Sequence, residues 1–311
     1  MPTFSIIIPT YNRKILLKER ALNSLLNQKF NDFEVIVIND GGEDVLDVIE
    51  EYKNKGLDIK YINYKENKSV SYARNRGIEI AKGEWICFLD DDDEYLKETL
   101  EIFNNSIFNR GNTIKCVIGQ AIKKIDHQET ILPPYKDFKK LNKEKVLKWI
   151  LKGWITPGNL MVKKEFLINL QGFDEKIRVG EDLELGLRIL FSINFDEEFI
   201  FIPKPVYIHY LRSVFNQKLN NFKKGLDDSI YILEKHKEKL KENNILDCFY
   251  YRLGVFHQAI GNKKEAIKYF ILSFSSLPLR SFIRILLSIT PISLFYRFED
   301  LLLKLKIKFL K

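Results

Sequence analysis

Cysteine is scarce in this chain of 311 residues, and the three that occur lie far apart, at Cys87, Cys116 and Cys248. An odd, dispersed set with no CxxC pair excludes a disulfide framework and a cysteine-based zinc site. Long apolar runs are also absent, since none reaches the roughly 18 residues that a membrane-spanning helix needs. The short apolar run near the start has no basic segment ahead of it, which argues against a signal peptide. We therefore expect a cytoplasmic protein in a reducing compartment.

The composition suits a folded protein with anionic partners. Hydrophobic residues make up 45% of the chain, which is enough for one sizeable core or for one domain with a smaller appendage. The formal net charge is +8. A net positive charge favours binding of anionic partners such as nucleic acid, lipid headgroups or phosphorylated small molecules, but it does not indicate which of them binds.

Apolar runs alternate with amphipathic segments over the first 90 residues. Buried strands are predicted at residues 4–9, 34–40, 59–62 and 84–89. Helices are predicted at 14–27, from after Gly42 through 49, and at 69–81. This alternation predicts an α/β fold with a mostly parallel central sheet flanked by helices. Ligands of such sheets bind beyond the carboxyl ends of the strands.

Polar clusters follow three of these strands, at Pro9–Arg13, Asn39–Gly42 and Asp90–Asp93. The carboxyl ends of parallel strands meet at one edge, so the three loops are expected to converge on one crevice. Aspartate oxygens there are suited to Mg²⁺ or Mn²⁺ bound against a diphosphate. Asp40 can accept a hydrogen bond from an imide N–H such as that of uracil. An Asx turn or helix cap is an equally good interpretation of Asp40 from position alone.

Four segments in order resemble inverting family 2 glycosyltransferases of the GT-A fold, of the bacterial and archaeal surface-polysaccharide type. They read SIIIPTYNR, NQKFNDFEVIVINDGGED, NKSVSYARNRGIEIAKGEWICFLDDDDEY and GFDEKIRVGEDLELGLRIL, and span about the first 210 residues. The resemblance implies transfer of a sugar from a nucleotide-diphosphate donor, expected to be a UDP-sugar, to an acceptor hydroxyl. The implied acceptor is a lipid-linked or polysaccharide glycan, and the implied cofactor is Mn²⁺ or Mg²⁺. No nucleic-acid partner is expected.

The resemblance also implies roles for single residues. Those expected to bind the nucleotide sugar are Pro9, Thr10, Tyr11, Arg13, Asp40, Arg74, Asn75, Asp90 and Asp91. Asp92 is the expected metal ligand of a DxD motif, although four consecutive aspartates leave its register open by one residue. Asp93 is expected to cap a helix that begins at Tyr95.

Asp182 resembles the catalytic base of the family, and the chemistry requires one because the acceptor hydroxyl must lose its proton as the new bond forms. Glu181 is the alternative, but adjacent helical residues point in different directions. Three further residues are candidates for contacts in the site, and ordinary packing is the alternative interpretation of each. They are His209 as a metal or phosphate contact, Arg212 at the diphosphate and Trp154 against a sugar face.

From about Phe215 onward, the chain has helical patterns only. We predict a catalytic domain over residues 1–214 and a helical region over 215–311, with a tetratricopeptide-like helix pair at about 247–278. The tail at 280–311 has seven cations and two anions, a net charge of +5. Its amphipathic pattern favours binding to the inner face of the cell membrane, and packing on the protein or on a second copy is the alternative.

Two other classes of function share some of these features. A nucleotidyltransferase shares the sheet and the metal-binding carboxylates, but its first strand is usually followed by a glycine-rich, basic phosphate loop, which PTYNR is not. A non-catalytic helical adaptor would account for the helix pair and leaves the three strand-end clusters unexplained.

Overall fold

The computed structural model describes residues 1–108, 110, 113–125, 128–134, 141–211, 219–275 and 277–288. The strands in this part of the chain are β1 Phe4–Thr10, β2 Phe33–Asp40, β3 Ile59–Tyr64, β4 Trp85–Phe88, β5 Glu94–Tyr95, β6 Cys116–Ile125, β7 Gln128–Leu132, β8 Leu160–Lys163 and β9 Phe199–Tyr210. They form one sheet in the order β3-β2-β1-β4-β8-β6-β9-β5, and β7 pairs with β6.

Helices pack on both faces of this sheet. The first, after β1, consists of α1 Lys14–Leu16, a π-helical segment Leu17–Leu22 and α2 Asn23–Leu26. The residues up to 211 correspond to the predicted catalytic domain and are called the catalytic half below. The other helices of this half are α3 Leu46–Asn54, α4 Val70–Ile80, α5 Thr99–Ile107, α6 Lys143–Leu151, α7 Lys164–Asn169, α8 Glu181–Ser192 and α9 Phe195–Glu198. A 3₁₀ turn, Pro157–Asn159, precedes β8. The C-terminal helices are α10 Leu219–Glu242, α11 Leu246–Ala259, α12 Lys263–Leu272 and α13 Pro278–Ser288.

The parallel half of the sheet is formed by the apolar runs predicted as strands. β1 pairs in parallel with β2 and β4, and β2 with β3. Successive side chains of a strand point to opposite faces, so Ile7 packs into one core and Ile6 and Ile8 into the other. Both faces are covered by helices, which explains why the runs are continuously apolar. The predicted α/β fold class is confirmed.

Beyond β4 the pairing is mixed. β8 lies antiparallel between β4 and β6, while β6 and β9 are parallel with an irregularity near Gly119 and Gln120. The helix expected from Tyr95 is wrong, because Glu94 and Tyr95 form β5 and pair with β9. The next helix begins only at Thr99. Pairing with a strand more than 100 residues later overrides the local helical signal there.

The C-terminal helices pack against the catalytic half. In the stretch where the helix pair was predicted, α11 and α12 lie against each other, and Gly254 lets the ring of Phe270 approach closely. The boundary predicted at 214/215 lies outside the described residues, as does the tail beyond Ser288. No helix in the described part is both long and apolar enough to cross a membrane.

A buried charged cluster joins α8 to α10. The carboxylate of Glu184 is fully buried and accepts from Arg188 Nε at 2.8 and 2.9 Å. From α10, Lys235 Nζ lies 2.8 Å and His236 Nε2 lies 2.9 Å from Glu184 Oε1. Burial alone would raise the pKa of Glu184, but these partners outweigh it and lower the pKa to about 2. The helical region is therefore fixed to the catalytic half through ionic contacts as well as apolar ones.

Replacing Glu184 with Ala is expected to lower the free energy of unfolding by about 3–5 kcal/mol, because Arg188 and His236 lose a fully buried partner. In the wild type, the stabilising effect of the depressed pKa is complete above the ordinary value of 4.5 and is lost as the pH falls toward 2. Urea denaturation at pH 7 and at lower pH measures both effects.

The matched control is Glu144→Ala, which removes a half-exposed partner of Lys148 within α6. That change is expected to cost less than about 1 kcal/mol. Equal losses for Glu184→Ala and Glu144→Ala would contradict the stabilising role of the cluster.

Candidate active site

The loops after β1 and β4 are joined by a buried aspartate. Thr10 Oγ1 donates to Asp91 Oδ2 at 2.8 Å, and Arg13 Nη1 lies 2.8 Å from Asp91 Oδ1. Arg13 Nη1 is also 3.0 Å from Asp92 Oδ2. Two of the three loops predicted to converge therefore meet through direct contacts.

Asp91 and Asp92 differ in exposure. The side chain of Asp91 is 3% exposed, and burial raises its pKa to about 6 against the opposing effects of Arg13 and Thr10. The side chain of Asp92 is 19% exposed, and its carbonyl accepts from Arg20 Nη1 at 2.7 Å. Arg20 was missed from sequence, because it lies in none of the motifs.

The guanidinium of Arg74 connects the strand ends to the start of α8. Arg74 Nη2 lies 2.7 Å from Asp90 Oδ1, and Nη1 lies 2.9 Å from Glu181 Oε1. Arg74 is only 3% exposed and stacks over the ring of Phe173. Burial opposes its charge, but the two carboxylates raise the pKa of Arg74 above its ordinary value. Burial likewise opposes ionisation of Asp90, and Arg74 outweighs it, so the pKa of Asp90 is lowered.

Asp93 bonds to β9 instead of capping a helix. Its Oδ2 lies 2.8 Å from His209 Nδ1, and its Oδ1 accepts from Tyr210 N at 2.9 Å. Burial raises the pKa of Asp93, and His209 opposes the shift. His209 is thus adjacent to the aspartate run, and a metal or phosphate contact for it stays a prediction. Arg212, predicted in the same loop, lies outside the described residues.

Asp40 holds the loop that leads into α4. Its two carboxylate oxygens accept from Lys68 N and Ser69 N, each at 2.9 Å. The Asx-type contact before the glycines is made by Asn39, whose Oδ1 accepts from Gly42 N at 3.0 Å. Asp40 lies at the predicted edge of the sheet, and its contact with a base stays a prediction.

The other nucleotide candidates lie in different surroundings. Pro9 is buried within β1, and Tyr11 is 47% exposed at the crevice. Asn75 is engaged by the turn before α8, because it accepts from Phe173 N at 2.8 Å and donates to Phe173 O at 3.0 Å. Trp154 is partly buried against the core, with Lys152 Nζ 4.6 Å from its ring centroid. These contacts give Asn75 and Trp154 structural partners within the protein.

The two acidic residues that begin α8 have different surroundings. Glu181 is held by Arg74, and its pKa is raised by burial and by Asp182 against the effect of Arg74. Asp182 Oδ1 accepts from Leu183 N at 2.7 Å, and the residue lines a narrow cavity with Thr156 and Pro157. Both residues are half-buried, and Asp182 is the one that lies on this cavity.

The carboxylates of the aspartate run are compatible with a divalent cation. The described residues contain no group of three or more His, Cys, Asp or Glu side chains placed to hold a metal ion. Mg²⁺ in enzymes is commonly bound by one or two carboxylates together with substrate phosphates. Asp92 has a partly exposed carboxylate, and Arg74 favours the ionised form of Asp90. Oxygen donors of this kind fit Mg²⁺ or Mn²⁺ shared with a diphosphate.

Known proteins resemble this chain in sequence and in fold. The GalNAc(5)-diNAcBac-PP-undecaprenol beta-1,3-glucosyltransferase of Campylobacter jejuni is 36% identical over 141 residues, which cover 40% of this chain and 45% of that protein. Residues 1–349 of S. aureus TarS in complex with UDP-GlcNAc superpose with a TM-score of 0.65 at 22% identity, covering 96% of this chain and 88% of that one.

A mannosyltransferase from Pyrobaculum calidifontis, in complex with GDP-Man and Mn²⁺, has a TM-score of 0.59 at 18% identity and covers 96% of this chain and 84% of that one. The expected GT-A fold is thereby confirmed. The sequence profile described as Glycosyl transferase family 2 matches residues 5–169, more than half of the chain. The chain belongs to glycosyltransferase family 2.

Proposed function

We propose that the protein is an inverting, metal-dependent glycosyltransferase that uses a nucleoside diphosphate sugar, specifically a UDP-sugar, as its donor. The observation that carries this proposal is the bridge formed by Arg74. One guanidinium pairs with Asp90 at the strand end, where a nucleotide would bind, and with Glu181 beside the proposed base. The bridge keeps the donor edge and the start of α8 in a fixed relation, as a direct displacement requires.

The donor would lie along the loops after β1, β2 and β4. Arg13 and Arg20 bring positive charge to the aspartate run, and Asp92 would hold Mg²⁺ or Mn²⁺. When bound, the cation stabilises the negative charge that develops on the departing diphosphate. The UDP-GlcNAc bound to TarS and the Mn²⁺ bound to the Pyrobaculum enzyme support this arrangement.

Asp182 would act as the general base. Its carboxylate accepts the proton of the acceptor hydroxyl while that oxygen forms a bond to the anomeric carbon. The bond from this carbon to the diphosphate oxygen breaks on the opposite face, and the nucleoside diphosphate leaves with the electron pair. One displacement inverts the anomeric configuration. Glu181 is less suited to this task, because Arg74 already engages its carboxylate.

The proposed acceptor is a hydroxyl of a lipid-linked or polysaccharide glycan. The undecaprenol-linked glycan in the name of the Campylobacter relative supports this class of acceptor. A nucleotidyltransferase would instead release or consume pyrophosphate, so the products separate the two functions. Transfer with release of a nucleoside diphosphate, and without pyrophosphate, supports the glycosyltransferase.

Asp92→Ala is expected to weaken Mn²⁺-dependent donor binding by roughly 100-fold, because the cation loses a carboxylate ligand. Isothermal titration with UDP-glucose, UDP-GlcNAc, UDP-galactose and GDP-mannose, with Mn²⁺ and with EDTA, measures this loss and identifies the donor. Asp58→Ala is the control, since Asp58 is exposed just before β3 at the opposite edge of the sheet. Failure of the wild type to bind any of these donors would refute the proposal.

Asp182→Asn is expected to keep donor affinity within about threefold and to lower turnover by roughly 10²–10⁴-fold, because an amide cannot accept the proton. Glu181→Gln is measured beside it by release of nucleoside diphosphate. If Glu181→Gln abolishes turnover while Asp182→Asn retains it, the two roles are exchanged and the assignment of the base is wrong.

The outer surface of α13, where the predicted membrane-binding tail begins, is proposed to bind an anionic membrane. Leu279, Phe282 and Leu286 are 49–71% exposed beside the exposed Arg280. An apolar surface with adjacent cations suits acidic headgroups. Phe282→Asp is expected to reduce co-sedimentation with phosphatidylglycerol vesicles, whereas Ile168→Asp, an exposed apolar position on α7, is expected not to. Equal binding by both variants and the wild type would contradict this placement.

A further inference from the structure

The helix after β1 places three polar side chains along the segment that begins at Asp92. They are four residues apart, at Arg20, Ser24 and Gln28, and are called the polar row below. Residues four apart on a helix share one face, and the row contacts residues 92–100. Arg20 belongs to the π-helical segment, a rare geometry that is frequent at functional sites. The predicted metal ligand therefore lies at one end of a segment that this helix holds.

Ser24 and Gln28 hold the far part of the segment. Tyr95 N donates to Ser24 Oγ at 3.1 Å, and Gln28 Nε2 donates to Leu96 O at 2.9 Å. Gln28 Oε1 also accepts from Leu100 N at 3.2 Å. These bonds satisfy backbone groups at β5 and at the start of α5, so they fix the local fold.

Arg20 is the member of the polar row that reaches the aspartate run. Its Nη1 donates to the carbonyl oxygen of Asp92 at 2.7 Å. Asp93 N donates to Asp90 O at 3.1 Å, so the run forms a β-turn with Asp92 at its third position. The contact with Arg20 fixes the peptide plane that leaves this turn. Because the backbone conformation limits the rotamers of a residue, this contact also limits where the Asp92 carboxylate can point.

The guanidinium of Arg20 is itself held by β9. Its central carbon lies 3.7 Å from the centroid of the Tyr210 ring, which is a cation–π contact. Tyr210 OH donates to Glu94 Oε1 at 2.9 Å, and Tyr210 N donates to Asp93 Oδ1 at 2.9 Å. The arginine therefore rests on a ring that is bonded to the same turn, and its donor is directed at one carbonyl.

The side chain of Asp92 has a separate partner. Arg13 Nη1 lies 3.0 Å from Asp92 Oδ2, and the same nitrogen lies 2.8 Å from Asp91 Oδ1. A cation that binds the Asp92 carboxylate would compete with Arg13 for this oxygen. The bond from Arg20 goes to the carbonyl and not to the carboxylate, so it can persist when a cation binds.

We propose that Arg20 is a positioning residue, which orients the Asp92 carboxylate toward a divalent cation by holding the Asp92 carbonyl. The inference rests on the proposed role of Asp92 as metal ligand. Arg20 acts through Asp92 in this role and not on the nucleotide. Its removal should therefore weaken the part of donor binding that depends on the cation and leave the remainder unchanged.

The experiment compares Arg20→Ala with the wild type in the full chain, with Mn²⁺ and UDP as the probes. Calorimetry measures the affinity for UDP in EDTA and at a series of Mn²⁺ concentrations. For Arg20→Ala we expect the Mn²⁺ concentration that half-maximally enhances UDP binding to rise roughly 10-fold, with the Kd for UDP in EDTA within about twofold. An effect of charge on the nucleotide itself would instead appear in EDTA as well.

Gln28→Ala is the matched control, since Gln28 is a buried member of the polar row that also donates to a backbone carbonyl. It should lower the Tm without changing the Mn²⁺ dependence. If Arg20→Ala does not fold, Arg20→Lys decides. The lysine keeps the charge and loses the planar group that lies on Tyr210, so we expect a rise of roughly threefold in the half-maximal Mn²⁺ concentration.

An unchanged Mn²⁺ dependence in a folded Arg20→Ala would overturn the inference, as would an equal loss of UDP affinity with Mn²⁺ and with EDTA. An equal change in Gln28→Ala, or a wild-type dependence in Arg20→Lys where that variant decides, would also overturn it. Failure of the proposed function is distinguishable, because the wild type itself would then bind no UDP or bind it equally with Mn²⁺ and with EDTA.

Discussion

The buried guanidinium of Arg74 is the constraint on which the arrangement of this site depends. A cation that is 3% exposed is costly to bury, and two carboxylates from distant parts of the chain offset that cost at 2.7 and 2.9 Å. Asp90 belongs to the end of the parallel sheet, and Glu181 to the first turn of α8. Neither element can shift without breaking an ion pair in the protein interior. Glu181 is thereby occupied, which is why we propose Asp182 as the base.

The C-terminal helices also hold the segment that contains Asp182. Glu184, two residues beyond Asp182, is fully buried and binds Lys235 and His236 of α10, while Asp228 of α10 holds the loop before α8. The same short segment is thus anchored from the sheet side by Arg74 and from the helical side by α10. A helix anchored from both sides can present one carboxylate in a fixed direction, which is the requirement for a general base.

Much of the catalytic half could be predicted from sequence because its signals are local. The strands of the parallel half are continuous apolar runs, and Asp90–Asp93 and Asp182 lie at strand and helix ends where chemistry is expected. The antiparallel strands and β5 could not be predicted, since β5 is two residues long and depends on pairing with Tyr207 and Ile208. The contacts of Asp228 with Arg178 and Val179 were also missed. They join residues about 50 positions apart, and Asp228 lies in no motif.

The most direct test of this account is the position of a bound cation and nucleotide. Crystals grown with UDP and Mn²⁺ can be measured at a wavelength where manganese scatters anomalously. The account predicts one strong manganese peak bonded to a carboxylate oxygen of Asp92, with the diphosphate beside it and the uracil near Asp40. A nucleotide bound away from the loops after β1, β2 and β4, or a manganese peak with no contact to the aspartate run, would contradict it.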